Sequence, residues 1–415
     1  MCHLMGGRWL GLLSLLAWSW GSTHAAQGGG DDLARSLDKL RLNQIQVIGT
    51  HNSYHLAPEP ALMEAMAKVV GVERIKGWDY THRPLPEQFI RLGIRQIELD
   101  VFADPAGGLF ANPLSRVLLG AAGVNPQGDA PGSPNADDAD KAAEALRLPG
   151  FKVLHVQDLD HRSTVTTLEQ ALAQVRGWSR DHPRHVPILI LLELKDQTIA
   201  GLPTRPIRFD EPLLDQIDAA LRQHFPPGTI LTPDDLRGHF ADLPTALTMR
   251  GWPTLAQARG KVLAALDNEG SLRDLYVKGH PALKGRMMFV SADGPESPEA
   301  AWFKINDPVG QFDRIQNLVR AGFLVRTRAD AETREARTGD ISRRDRALAS
   351  GAQFISTDYP EARVEWSPYQ VRLPGGIVAR PNPVSAADFP GDLDVEGSLV
   401  GSPSPSAPPT GSPPR

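Results

Sequence analysis

The chain has 415 residues, a formal net charge of -5, and 22% charged against 41% hydrophobic residues, enough to bury one barrel-sized domain or two ordinary ones. This acidic balance gives no basic field for nucleic acid, so a nucleic-acid role is excluded as an expectation. After the first 26 residues no segment is long and apolar enough to be a transmembrane helix.

Arg8, an apolar run from Trp9 to Trp20 and the small, polar stretch Gly21 to Ala26 predict a secretory signal over residues 1–26, cut after Ala25 or Ala26. A secreted or periplasmic location follows from it. The only cysteine, Cys2, falls inside that segment, so the exported protein would have neither a disulfide nor a thiolate to bind metal.

Beyond it, short runs rich in Val, Ile and Leu predict strands at 45–50, 95–102, 152–157, 187–195, 261–267, 287–292, 323–328 and 353–358. The run at 188–192 is apolar at every position, as a parallel strand covered on both faces should be. Helical periodicity falls between strands, at 85–92, 168–180, 312–320 and 341–350. Alternating elements argue for a parallel sheet, and eight strands for a closed TIM-type (β/α)8 α/β barrel over residues 31–380, irregular and with long loops at its C-terminal face. An open doubly wound sheet is the alternative, though no Gly-x-Gly-x-x-Gly follows a strand. A Gly/Pro-rich excursion at 103–150, with one short helix at 138–148, reads as a long loop, and the Pro, Ser, Gly and Ala of 381–415 as a disordered tail.

A barrel enzyme carries its reactive groups at the C-terminal ends of strands. The first strand ends in His51 and Asn52, the second carries Glu98 and Asp100, the third His155, and the fourth Glu193 and Lys195. Residues two apart on a strand share a face, so Glu98 and Asp100 point together, as do Glu193 and Lys195. Carboxylates converging there would repel one another without a positive charge among them. Three carboxylates and the side-chain carbonyl of Asn52 suit Ca2+, or Mg2+, and not zinc. His51 and His155 are then free for proton transfer. Taken singly, such a histidine is more often a satisfied core residue and such an acid more often half of an ion pair.

The combination resembles the catalytic half-barrel of phosphoinositide-specific phospholipases C, in which a His-Asn pair ends strand one, a Glu-x-Asp pair lies on strand two, a second histidine follows strand three and a glutamate sits on strand four. The stretches at 48–55, 93–101, 153–160, 163–164, 325–330 and 356–359 are similar, more narrowly, to the secreted calcium-dependent family of bacteria and fungi, over roughly residues 40 to 370. The excursion at 103–150 departs from that pattern.

That resemblance implies a calcium-dependent cleavage of phosphatidylinositol, or a related inositol phosphodiester, to diacylglycerol and an inositol phosphate. His51 and His155 would be the base and acid, in either order, or Glu98 or Glu193 the base, and Asn52, Glu98, Asp100 and Glu193 the metal ligands. Lys195 and Arg326 would contact phosphate or inositol, or else pair with nearby carboxylates. The expected partner is a phospholipid surface, met transiently by a monomer. Two other readings stay open. A glycerophosphodiester phosphodiesterase would share Glu98 and Asp100 but open with His-Arg-Gly where this chain has His51-Asn52; a non-catalytic lipid or inositol-phosphate binding barrel would need neither base nor acid. His55 reads as a rim residue, and His82, His161, His182, His185, His224, His239 and His280 as loop or surface residues.

Overall fold

A computed structural model of the chain describes residues 35–121 and 136–397. The predicted signal at 1–26, Cys2 and residues 398–415 lie outside them. Among the described residues eleven strands form one sheet: β1 Ile45–Thr50, β2 Gln96–Phe102, β3 Lys152–Val153, β4 Ile188–Leu194, β5 Ile230–Leu231, β6 Val262–Leu266, β7 Met288–Val290, β8 Trp302–Lys304, β9 Leu324–Arg328, β10 Phe354–Thr357 and β11 Ala379–Pro381.

Eight of these are barrel staves. β1 pairs in parallel with β2, β2 with β4, β4 with β6, β6 with β7, β8 with β9, β9 with β10, and β10 with β1. A single parallel bridge from Ser291 to Trp302 joins β7 to β8 and closes the ring. The apolar run of β4 is buried throughout except at Glu193, because staves bury both faces. Gly49 lets β1 and β2 meet: a Cβ there would lie 2.6 Å from that of Gln96. The expected helices form at Leu85–Arg91, Leu168–Asp181, Phe312–Arg320 and Ser342–Ala349. Leu168–Asp181 starts where Thr167 caps the Gln170 amide, and it buries Leu168, Leu172, Val175 and Trp178 against the barrel.

Three expectations need correction. The predicted third strand is no stave: β3 has two residues and runs antiparallel to β2, after which Val156 and Asp160 exchange backbone hydrogen bonds in a turn. Lys152, His155 and Gln157 interrupt the apolar residues of 152–157, which does not suit a stave buried on both faces. The missing stave is β8, whose three residues are too short to carry a periodic signal. The tail does not begin at 381, because Val395 is buried and Glu396 pairs with Arg95 beside the start of β2. Phe389 and Leu393 pack on the core as well, so a few apolar anchors hold this Pro/Gly-rich stretch in place.

Among its described residues the excursion holds helices Leu114–Ala121 and Ala136–Arg147, of which only the second was expected. Leu119 joins Leu62, Met66 and Ile75, from helices Pro60–Val70 and Val72–Lys76, in a small separate core against which Trp78 packs. Trp78 in turn lines the cavity described next.

Candidate active site

The chain leaves β1 through a turn in which Asn52 takes φ 44°, a left-handed conformation that costs a side-chain-bearing residue about 1 kcal/mol or more. Ser53 ties this turn to β2: its N–H donates to the Glu98 carbonyl at 2.9 Å and its hydroxyl accepts from the Glu98 N–H at 2.8 Å. The strained step sets His51 on one side and the Asn52 amide on the other. Asn52 Nδ2 donates to the Tyr80 hydroxyl at 2.9 Å.

His51 and His155 line one cavity of about 440 Å3, together with Arg74, Trp78, Arg328 and Asp358. His51 Nδ1 donates to Asp358 Oδ1 at 2.8 Å, while Arg328 donates to Asp358 Oδ2 at 2.9 Å and to His51 Nε2 at 3.3 Å. Burial, then the Arg328 charge, lowers the His51 pKa to about 3 against the pull of Asp358, so the ring is neutral with Nε2 as its basic atom. Burial would raise the Asp358 carboxyl, but His51 and Arg328 outweigh it and hold it below the usual range.

His155 has the same plan. Its Nδ1 donates to Asp160 Oδ2 at 2.7 Å, and Trp78 meets the ring edge-on at 5.7 Å between centroids. Burial lowers its pKa, partly offset by Asp160. His55, expected at the rim, is instead completely buried, and its Nε2 reaches the same Asp160 oxygen at 2.8 Å. His82 and His185 lie on loops, as expected, but are buried there.

Below the histidines lie the acids. Glu98 Oε1 is 3.6 Å from His51 Nε2, and oxygens of Glu98, Glu193 and Asp267 all lie within 4.8 Å of one another. Burial, offset by Arg326, raises the Glu98 pKa to about 7, with Asp267 and Glu193 adding to it. Burial likewise raises Asp100, against Lys195. Asn52 Oδ1, Asp100 Oδ1 and Asp267 Oδ1 are buried without a hydrogen-bond donor, which is costly unless something positive meets them. An all-oxygen donor set of this kind fits a hard divalent cation such as calcium.

Of the residues expected here, the structure brings His51, His155, Asn52, Glu98, Asp100, Glu193 and Lys195 to one end of the barrel. Lys195 takes the ion-pair course: its Nζ is 2.7 Å from Glu193 and 3.1 Å from Asp100. Arg326 is 1% exposed and pairs with Glu98; Arg328, two residues on, lines the cavity in its place. Asp267, Asp358 and Arg328 were not singled out in the sequence, although each ends a predicted strand and the strand-end rule reaches them. Asp160 carried no such signal, since its turn is set by tertiary pairing.

Residues 40–383 match the family described as phosphoinositide phospholipase C, Ca2+-dependent. Among solved structures, the apo calcium-dependent phosphoinositol-specific phospholipase C of a Gram-negative Pseudomonas species is similar at 16% identity and TM-score 0.49, over 82% of this chain and 95% of that one. The Ca2+-dependent phosphatidylinositol-specific phospholipase C of Streptomyces antibioticus is similar at 17% identity and TM-score 0.45, over 77% of this chain and 95% of that one. That of Listeria monocytogenes, described as phosphatidylinositol-specific, gives 12% identity and TM-score 0.39, over 78% and 91%. No curated protein matches.

Proposed function

Since the chain belongs to the calcium-dependent phosphoinositide phospholipase C family, we propose that it is an exported enzyme that cleaves phosphatidylinositol at a lipid surface to diacylglycerol and an inositol phosphate. The observation that carries this reading is that two histidines, each with Nδ1 on a buried aspartate, face one cavity beside a cluster of acids. No helix among the described residues is long and apolar enough to cross a membrane.

The inositol hydroxyl next to the phosphodiester is a built-in nucleophile, so positioning supplies much of the rate. His51 Nε2 takes the proton of that hydroxyl as its oxygen bonds to phosphorus. His155 gives its proton to the glycerol oxygen as the phosphorus–oxygen bond on that side breaks. Asp358 keeps His51 in the tautomer whose Nε2 is bare, and Asp160, accepting from Nδ1, supports the His155 imidazolium whose Nε2–H is the proton given to the substrate. Arg328, 3.3 Å from His51 Nε2, stands where it can meet the phosphate. Glu98, Glu193 and Asp267, with Asn52 and Asp100 beside them, would hold calcium, which supplies Lewis-acid stabilisation of charge growing at the phosphate.

Product analysis tests this. With calcium present, vesicles containing phosphatidylinositol should release diacylglycerol and inositol phosphate. Release of glycerol phosphate from water-soluble glycerophosphodiesters, with vesicles untouched, would replace this reading with the glycerophosphodiesterase one; headgroup binding without turnover would point to a binding barrel.

A further inference from the structure

We propose that helices Val72–Lys76 and Leu114–Ala121, with the loop that follows β4, form a docking face for an anionic lipid bilayer and set the mouth of the cavity down on the membrane. This deepens the phospholipase reading and rests on it.

Helix Leu114–Ala121 is apolar on both sides. Ser115 and Leu119, one turn apart, are buried, and Leu119 packs with Leu62, Met66 and Ile75. Val117 lies about 200° around the helix from Leu119 and is 66% exposed, with Leu118 exposed beside it. A helix apolar all round needs something apolar on its outer side as well. Residues 122–135, which follow it, contain a single large apolar residue, Val124, and so offer little to cover that side. Val72 is 55% exposed on the neighbouring helix, whose Arg74 lines the cavity.

Asp158 places this face at the cavity. It is buried in the turn that carries His155. Its carbonyl accepts the Ser115 N–H at 2.7 Å, and its carboxylate accepts the Thr204 N–H and hydroxyl, both at 2.8 Å. One residue thus ties the apolar helix, and the loop that carries exposed Ile199, to the His155 turn. Val309 and Val364, also exposed, lie in the connections that leave β8 and β10 at the same end of the barrel. Single exposed apolar side chains need no explanation, but a set gathered where the cavity opens marks an interaction surface.

The charges on the two helices suit an anionic surface. Glu73 pairs with Lys76 at 2.6 Å, which leaves Arg74, and Arg116 is the only charged residue of Leu114–Ala121. Among the described residues no carboxylate pairs with either arginine. Apolar groups entering the acyl boundary while cations meet lipid phosphates is the chemistry by which a protein lies on an anionic membrane.

Binding is read without turnover by sedimentation with sucrose-loaded vesicles of phosphatidylcholine and phosphatidylglycerol in chelator. The wild type should cosediment. V117S/L118S should weaken partition about tenfold or more, the scale of withdrawing buried apolar side chains. R116Q should weaken it about fivefold on these vesicles and leave it unchanged on phosphatidylcholine alone. M249S, which removes a comparably exposed side chain from helix Leu243–Met249 between β5 and β6, should bind as the wild type does. With calcium, V117S/L118S should lose turnover of phosphatidylinositol vesicles by the same factor and keep turnover of a short-chain phosphatidylinositol in free solution. Vesicle binding by V117S/L118S equal to wild type, or an equal loss in M249S, would overturn the proposal. So would a wild-type dimer that V117S/L118S dissociates with vesicle binding unchanged. A wild type that binds vesicles but does not turn over phosphatidylinositol would sink the phospholipase reading and leave the docking face standing.

Discussion

Asp358 accepts the His51 Nδ1 proton at 2.8 Å, although 307 residues separate the two in sequence. Closure of the barrel makes this possible, because β1 and β10 are neighbours in the ring. The carboxylate fixes which nitrogen of His51 is bare. D358N should therefore reduce kcat by on the order of a hundredfold or more while changing KM little. Steady-state kinetics on mixed vesicles checks it; a kcat within threefold of wild type would remove Asp358 from the mechanism.

Asp267 lies at the end of β6, within oxygen reach of Glu98 and Glu193. If the three hold calcium, D267N should raise the calcium concentration for half-maximal stabilisation against heat by about tenfold, the usual scale of a lost ligand or its supporting partner. Thermal melts across a calcium titration measure this without turnover. An unchanged calcium response would place the ion elsewhere.

Arg95 is 2% exposed, and its main charge partner comes from outside the predicted domain, in Glu396. Removing one member of a buried pair typically costs about 3–5 kcal/mol. Arg95 retains the Phe89 and Ile94 carbonyls and the face of Trp178, so E396Q should cost toward the lower end. Urea unfolding would show it, and a midpoint equal to wild type would mean that the Glu396–Arg95 pair contributes nothing to stability.

His185 gives a pH signature. Its Nδ1 donates to the Val186 carbonyl and its Nε2 meets the Ser179 hydroxyl at 2.8 Å; burial lowers its pKa to about 4. The unfolded chain protonates this ring near 6.5, so from 6.5 down to about 4 the unfolded state binds the extra proton. The contribution is complete above pH 6.5 and is lost as the pH falls through that window. The stability advantage of wild type over H185N should shrink between pH 7.5 and 4 by a few kcal/mol, since each pH unit crossed inside the window removes about 1.4 kcal/mol. Parallel curves for the two proteins would contradict a neutral, buried His185.

Local pattern shows in the sequence wherever one stretch carries the whole signal. The both-face burial of β4, the Glu98 and Asp100 pair on β2 and the His51-Asn52 step after β1 are of this kind. Features made by pairing between distant segments are less visible. β8 has three residues and becomes a stave only through its neighbours β7 and β9. His155 is placed by a turn that Asp160 closes, and its second partner, His55, lies 105 residues from that aspartate. Arg326 and Arg328 share a face of β9, and only the Glu98 pair decides which of them is left for the cavity.

Turnover of phosphatidylinositol vesicles by the wild type, H51N and H155N, each with calcium and with a chelator, bears most directly on the central claim. Wild type with calcium should release diacylglycerol, the chelator should abolish it, and each single variant should lose on the order of a hundredfold or more while remaining folded. Full activity in either folded variant, or undiminished wild-type turnover in chelator, would contradict a site in which two imidazoles move protons beside a calcium ion.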